Sequence, residues 1–428
     1  MSIEGPAHSA VVARLEHPEV NLAAWGGIVY PLSLIIESPI VMLLSASTAL
    51  CKDWHAYVRL RRITVISGLA LSLTHALVAF TPLYDLLARR IIGAPEAIIE
   101  PGRIGLMIMV PWSAAIAYRR FQQGAMIRFG HTRAVGTGTV IRMTANGAVL
   151  LAGYLARRVP GIVVASTAVA AGVTAEALYA GLRVRSVVRD QIRWAPRQIP
   201  PFTLGRFLPF YIPLALTSLI SFFVSPIGSA AMSRMPLALS SLAAWPVISG
   251  LIFMLRSPGL AYSEVTVALL DEPRSFRRLQ RFGWILGAGA FLVAIAVTVT
   301  PLSALWLGTV MGLPTDLRAL GAQSLWLALP LPPLALLQSW YQGIIVNSTR
   351  TRGVTESVVL YMAVTSAIMV AGVVLQRFSG LHVTVLAFLL ATVCQVLWLW
   401  YRSRRAVRAL ALRDSIEEDR SLEIAMVG

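Results

Sequence analysis

Read for runs of apolar residues, the chain alternates long hydrophobic stretches with short loops rich in arginine. A helix that spans a bilayer needs about 20 mostly apolar residues. Stretches of that kind fall at 20–50, 63–84, 104–118, 134–156, 160–182, 207–233, 239–268, 282–306, 319–347, 353–376 and 380–401. The pattern predicts eleven membrane helices, and residues 1–15 add an apolar segment too short to span. Pro31, Pro39, Pro111, Pro246, Pro258 and Pro330 lie inside these stretches. They predict kinks, which membrane helices tolerate where neighbours satisfy the freed carbonyls.

Composition sharpens the class. Of 428 residues, 57% are apolar and only 13% charged, against roughly 25% charged in a soluble domain. This excludes a soluble globular enzyme, a disordered tail protein and a secreted disulfide scaffold. Yet the net charge is +17, from 37 basic residues that are all arginine except Lys52. The arginines sit in clusters between the apolar stretches, so the basicity points to membrane topology rather than to nucleic acid. Lys52, Arg59, Arg61 and Arg62, then Arg119, Arg120, Arg128 and Arg133, share one side with the clusters at 183–206, 274–281, 350–352 and 402–420. That side holds 26 basic residues and the opposite loops nine, which places the first set and the C-terminus in the cytoplasm of a plasma (inner) membrane protein. The N-terminus carries Glu4, Glu16 and Glu19 without a basic leader, so no cleavable signal peptide is expected. Cys51 and Cys394 read as reduced packing residues.

The chain also repeats itself. A shift of 220 pairs Pro6 with Pro226, Arg14 with Arg234, and Leu22-Ala23-Ala24-Trp25 with Leu242-Ala243-Ala244-Trp245. After a one-residue slip, a shift of 219 pairs Ser38-Pro39 with Ser257-Pro258, Thr81-Pro82-Leu83 with Thr300-Pro301-Leu302, Pro111 with Pro330, Gln123-Gly124 with Gln342-Gly343, and Thr132-Arg133 with Thr351-Arg352. Apolar composition alone does not produce that register of Pro, Gly, Trp, Gln and Arg. Two six-helix repeats follow, the first helix incomplete; an even helix count gives both the same orientation, related by a pseudo-twofold axis along the membrane normal. The expected organisation is an N-terminal lobe over 1–185, a basic linker over 186–203, a C-terminal lobe over 204–404 and a cytoplasmic tail over 405–428. The second repeat begins near Leu204, some 17 residues before Ser221, the partner of Met1. The expectation is that Met1 falls mid-helix and that the start lies upstream.

Two six-helix lobes, each with Gln-Gly and then Thr-Arg after its fourth helix, resemble the multidrug/oligosaccharidyl-lipid/polysaccharide (MOP) exporter superfamily of MATE exporters and lipid flippases. Within it, the chain is most similar to the progressive-ankylosis-like branch. The residues concerned are Leu22-Ala-Ala-Trp-Gly-Gly-Ile-Val-Tyr-Pro-Leu, Val110-Pro-Trp-Ser running into Phe121-Gln-Gln-Gly, and Arg256-Ser-Pro-Gly-Leu-Ala-Tyr-Ser-Glu264. The resemblance implies a V-shaped pair of lobes that exports or flips an anionic or amphipathic substrate by alternating access.

Ionisable residues inside spans are expensive and mark functional candidates. Here they are Glu4, Glu37, Arg142, Glu176 and Arg256, with Glu264 near the end of the eighth helix. The repeat sets Glu37-Ser38-Pro39 against Arg256-Ser257-Pro258. One reading makes this a cavity pair, Arg256 holding an anionic substrate group and Glu37 taking a proton or cation; the other makes it an interlobe structural ion pair. Glu4 is a further coupling candidate, Glu264 a gate or a solvated helix end, and Arg142 with Glu176 an intralobe structural pair. The Gln-Gly pairs read as tight helix-to-loop geometry, and Trp398, Trp400 and Tyr401 as an interfacial belt.

A phosphate-binding G-x-x-x-x-G-K-[ST] loop is impossible with a single lysine at position 52. The six histidines show no metal-ligand spacing, so neither metal nor cofactor is expected beyond a coupling H⁺ or Na⁺. The expected function is a secondary transporter or flippase acting on a small-molecule or lipid-linked substrate, not an enzyme and not a nucleic-acid binder. A membrane-embedded lipid or glycan enzyme and a non-transporting scaffold are the alternatives. Oligomeric state is not legible.

Overall fold

The computed structural model describes residues 4–199, 201–270, 272, 275–348 and 352–427; the side chains of 261, 264, 268 and 416–427 lie outside the described set. Its secondary structure among these residues is helical throughout. A short α1 (Glu4–Val12) precedes α2 (Pro18–Leu50), α3 (Trp54–Phe80), α4 (Ile99–Arg128), α5 (Thr132–Ala156) and α6 (Gly161–Ile192). Then come α7 (Leu204–Ser233), α8 (Ala238–Leu269), α9 (Ser275–Val299), α10 (Thr315–Asn347), α11 (Arg352–Leu375) and α12 (Gly380–Val427). Ten of these helices are long and apolar enough to cross a bilayer, and the chain is an integral multi-pass membrane protein. In α4 the charge-free run is only 104–118, between Arg103 and Arg119.

Proline shapes the helices where the sequence placed it. α2 runs through a π-helical turn at Trp25–Val29 just ahead of Pro31 and a 3₁₀ turn at Ser38–Ile40 around Pro39, since a ring without N–H leaves a carbonyl of the preceding turn unbonded. α10 breaks at Leu329–Pro330. α7 contains Pro209, Pro213 and Pro226, and α8 contains Pro246 and Pro258.

The repeat register recurs as local geometry. Arg157 and Gln376, 219 positions apart, both take left-handed backbone, as do Gly93 and Gly312. A methyl group on Gly153 would lie 2.5 Å from Val164, and one on Gly372 would lie 2.5 Å from Val383. A methyl on Gly124 would meet Ser47 at 2.6 Å, and one on Gly343 would meet Thr266 at 2.7 Å. Each pair stands in the same register, so glycine is required where one helix backbone lies against the next.

By packing, the chain forms two compact units. The N-terminal unit is Ala7–Arg234 with Ala238–Ala243; the C-terminal unit is Met1–Pro6, Met235–Leu237 and Ala244–Gly428. Helix α7, assigned by the repeat to the second lobe, packs within the N-terminal unit on α2 and on the π-helical segment Leu86–Ile92. There the Tyr211 hydroxyl donates to the Pro39 carbonyl at 2.5 Å, and Arg234 donates to the carbonyls of Arg90, Ile91 and Ile92 at 2.7–3.0 Å. Pro6 packs on Gly250 in the C-terminal unit. The packing boundary therefore does not fall where the sequence repeat does. Met1 lies outside the described residues.

The linker is tied down. Asp53 caps α3 by accepting from the Ala56 N–H, and its second oxygen accepts from the Gln198 N–H, both at 2.7 Å. Arg59 donates to the Phe202 carbonyl at 2.6 Å. In the C-terminal unit, Val407, Leu410 and Ala411 of α12 pack on the cluster of Phe276, Trp340 and Ile344, so the helix that ends the second lobe continues, packed, into the tail segment.

Candidate functional site

The strongest concentration of charge in the N-terminal unit is buried among α2, α4, α5 and α6. Its centre is Glu176, a carboxylate closed to solvent midway along α6. Arg119 on α4 donates to one oxygen at 2.5 Å, and Gln123, one turn later on the same face, donates to the other at 2.8 Å. Arg142 on α5 approaches the first oxygen at 3.2 Å. Close helix contact makes this geometry available: a methyl on Gly172 would lie 3.0 Å from the Arg142 carbonyl, and one on Gly138 would meet Glu176 at 3.4 Å. Two guanidinium groups on one carboxylate, with an amide completing it, satisfy the requirement that a buried charge be both paired and hydrogen-bonded.

Two further charges border this cluster. Glu37, 5% exposed, ends the straight part of α2 before Pro39, and its Oε2 has no hydrogen-bond partner among the described residues. The cations that act on it are Arg120 and then Arg119. Arg120 is half-buried, with its Nε closed to solvent and unpartnered. It also acts on Tyr211, the α7 residue bonded to Pro39.

This corrects two sequence expectations. Arg119 and Arg120 do not lie in a cytoplasmic loop: α4 continues through Gly124 to Arg128. Removing both from the cytoplasmic tally leaves its excess intact. Gln123-Gly124 is not helix-to-loop geometry but lies inside α4, about a turn before its end, with Gln123 on Glu176 and Gly124 against the Leu44 carbonyl. The i, i+4 spacing of Arg119 and Gln123, on a helix that has no turn residue to end it, was the signal that sequence reasoning missed.

The other candidates are distributed as follows. Arg142 and Glu176 are brought together. Glu4 lies in the first turn of α1 and belongs to the C-terminal unit. Glu264 lies in α8, with its side chain outside the described residues. Arg256 sits in α8 beside Pro258; its Nε is closed to solvent and unpartnered, and no carboxylate pairs with it among the described residues. Its electrostatic neighbour is Tyr361 on α11. Glu37 and Arg256 belong to different units.

The repeat makes the two units instructive to compare. At the positions equivalent to Glu176, Arg142, Arg119 and Asn146, the C-terminal unit carries Gln395, Tyr361, Gln338 and Thr365. Gln395 donates to Ser357 at 3.4 Å. The charged positions of one unit are thus neutral polar positions in the other, and Arg256 stands where Glu37 does. Among the described residues no cluster of His, Cys, Asp and Glu could hold a metal ion.

At the ends of α3 and α4, Asp85 accepts from both Arg89 and Arg103. The Arg103 and Arg89 guanidinium groups hold its carboxyl below the ordinary aspartate range.

No protein-family model and no curated protein sequence matches the chain. Solved structures do. The chain is similar to a multidrug resistance MATE family transporter of the MOP superfamily, inward-facing, with TM-score 0.73 and 15% identity over 96% of each chain. It is similar to the lipid II flippase MurJ in an inward closed conformation, with TM-score 0.71 and 14% identity over 97% of this chain and 89% of that one. A MOP superfamily transporter from Pyrococcus furiosus matches at TM-score 0.57 and 15% identity, over 96% of this chain and 95% of that one. The fold is the MATE/MOP fold that the sequence resemblance implied.

Proposed function

We propose that the protein is a secondary transporter of the MOP type, which exports or flips an anionic or amphipathic substrate by alternating access. The observation that carries this reading is the likeness, over nearly the whole chain, to both a MATE transporter and a lipid II flippase. An intramembrane guanidinium without a carboxylate partner among the described residues supports the anionic substrate class: Arg256, its Nε desolvated, is costly unless an anion joins it. Glu37, buried with a free carboxylate oxygen, is the candidate for proton or cation coupling, with Glu4 as a second. The arginine asymmetry of the loops supports an inner-membrane protein with a cytoplasmic C-terminus. A transporter rather than an enzyme is the reading because the fold neighbours move substrates and the loops are too short for a catalytic domain.

The test is reconstitution into proteoliposomes. Flux of an anionic amphiphile that saturates and responds to a proton or sodium gradient is the expected result, with Glu37→Gln changing its pH profile. Substrate turnover without a gradient would favour a membrane-embedded enzyme instead.

A further inference from the structure

The arginines that follow the last apolar stretch of α12 divide into two sets. Arg402 and Arg413 are taken up by the protein itself. Arg402 pairs at 3.2 Å with Glu356 of α11, a carboxylate that also accepts from the Trp398 indole at 3.3 Å. Arg413 donates to the Glu272 carbonyl at 3.3 Å and pairs with Asp414 at 3.1 Å, while Asp414 accepts from the Arg277 N–H of α9 at 3.2 Å. With buried Ser403 and the packing of Val407 and Leu410, these contacts fix the face that α12 turns to the C-terminal unit. Arg404, Arg405 and Arg408 lie on the other face, exposed, and no carboxylate pairs with them among the described residues.

The outward face is ordered along its length. Leu390, Leu397, Tyr401, Arg404 and Arg408 recur at the spacing of one helix face, and all five are exposed. The Arg404 guanidinium lies 4.7 Å from the Trp400 ring centroid and 5.7 Å from that of Tyr401. Such contact holds a guanidinium without using its in-plane N–H donors. Exposed Trp and Tyr at the end of an apolar span sit at headgroup level. Helix rise then puts Arg404, Arg405 and Arg408 about 5, 6 and 10 Å beyond Tyr401 along the axis, against a headgroup layer about 5–8 Å deep. Membrane topology alone does not call for this arrangement. The repeat-equivalent end of α6 has Gly181 and Leu182 in place of Trp400 and Tyr401, and Ser186 in place of Arg405. Arg189 stands in place of Arg408 there and is paired with Asp190 at 2.6 Å.

We propose that Trp400, Tyr401, Arg404, Arg405 and Arg408 form a docking surface for an anionic phospholipid in the leaflet that faces the C-terminal end of α12. The guanidinium groups take the phosphate oxygens through charge-assisted hydrogen bonds, the rings rest among the headgroups, and the acyl chains lie along Leu390 and Leu397. A single apolar-to-basic stripe fits a lipid rather than a free anion. The surface lies wholly within the C-terminal unit and does not depend on the transport reading.

Binding is read on the full-length protein in neutral detergent micelles doped with dioleoyl phosphatidylglycerol or with an equal fraction of zwitterionic dioleoyl phosphatidylcholine. The readouts are thermal shift and the lipid retained in native mass spectrometry. Wild type should melt higher with phosphatidylglycerol and retain it preferentially. Arg404→Gln combined with Arg405→Gln and Arg408→Gln should cut that preference tenfold or more. Trp400→Leu should weaken it several-fold with the charge unchanged. Arg185→Gln, which removes the exposed arginine at the equivalent position of α6, should leave it intact. All these side chains are exposed, so the variants should fold as wild type does, which circular dichroism checks. Equal retention of the two lipids by wild type would overturn the proposal, as would a triple variant that keeps the preference. Inorganic phosphate that stabilises wild type as much as the lipid would make this a general anion patch and overturn it too.

Discussion

Arg119 on α4 donates to Glu176 on α6 at 2.5 Å, with both side chains almost closed to solvent. The pair joins two helices that the sequence separates by 57 residues, and Arg142 and Gln123 complete it from α5 and from the next turn of α4. It fixes α4, α5 and α6 as one polar-centred bundle beside the kinked α2.

Removing the shared carboxylate should therefore be severe. Glu176→Gln strands two buried guanidinium groups, and breaking a buried pair in this way costs about 3–5 kcal/mol. Thermal unfolding in detergent should show a large loss. Gln395→Leu, at the equivalent position in the C-terminal unit, should cost only about 1 kcal/mol, the worth of an ordinary hydrogen bond. Equal losses at the two sites would contradict the charge assignment.

The equivalent glycine contacts give a second comparison. Gly153→Ala and Gly372→Ala each drive a methyl to 2.5 Å from a valine on the next helix, and overpacking of this kind costs roughly 1–3 kcal/mol. Gly147→Ala on α5 meets open space and should be tolerated. Melting temperatures of the three variants check this, and the two tight sites should fall together.

Asp53 should control the linker. Asp53→Ala removes the α3 cap, worth about 1 kcal/mol, and frees the Gln198 N–H from the carboxylate that holds it. Trypsin cleavage at Arg193 and Arg197 should then become several-fold faster while the helical bundle stays folded. An unchanged cleavage rate would show that the clasp does not hold the linker.

Asp85 gives a pH signature outside the spans. Its carboxyl is held low by Arg103 and Arg89, so the ionised form is the one favoured by folding. Any stability it contributes is present above the ordinary aspartate range and lost as pH falls through the depressed value. The site is exposed, so the effect is small. Wild type should melt slightly above Asp85→Asn at neutral pH, and the difference should vanish in acid.

Much of the fold was legible because a bilayer imposes a simple code. Apolar stretches marked the helices, and prolines marked the bends at Trp25–Val29, Ser38–Ile40 and Leu329–Pro330, whereas the tight glycine contacts of Gly153 and Gly372 were not read from the sequence. Three things were hidden. The polar half of α4 looked like a loop, because arginine counts toward topology and against a span, whether or not a carboxylate on another helix accepts it. The companions of Glu176 come from two other helices, and linear order does not say which faces meet. The placement of α7 on α2 depends on long-range packing around Tyr211 and Pro39, for which the repeat register gives the opposite assignment.

The central claim is transport of an anionic substrate, and flux in proteoliposomes containing wild type or Arg256→Gln tests it most directly. The account predicts saturable, gradient-dependent uptake of an anionic amphiphile by wild type, and a loss of at least tenfold in Arg256→Gln, with the variant folded and correctly inserted. Uptake no greater than in empty liposomes, or equal uptake by the two proteins, would contradict it.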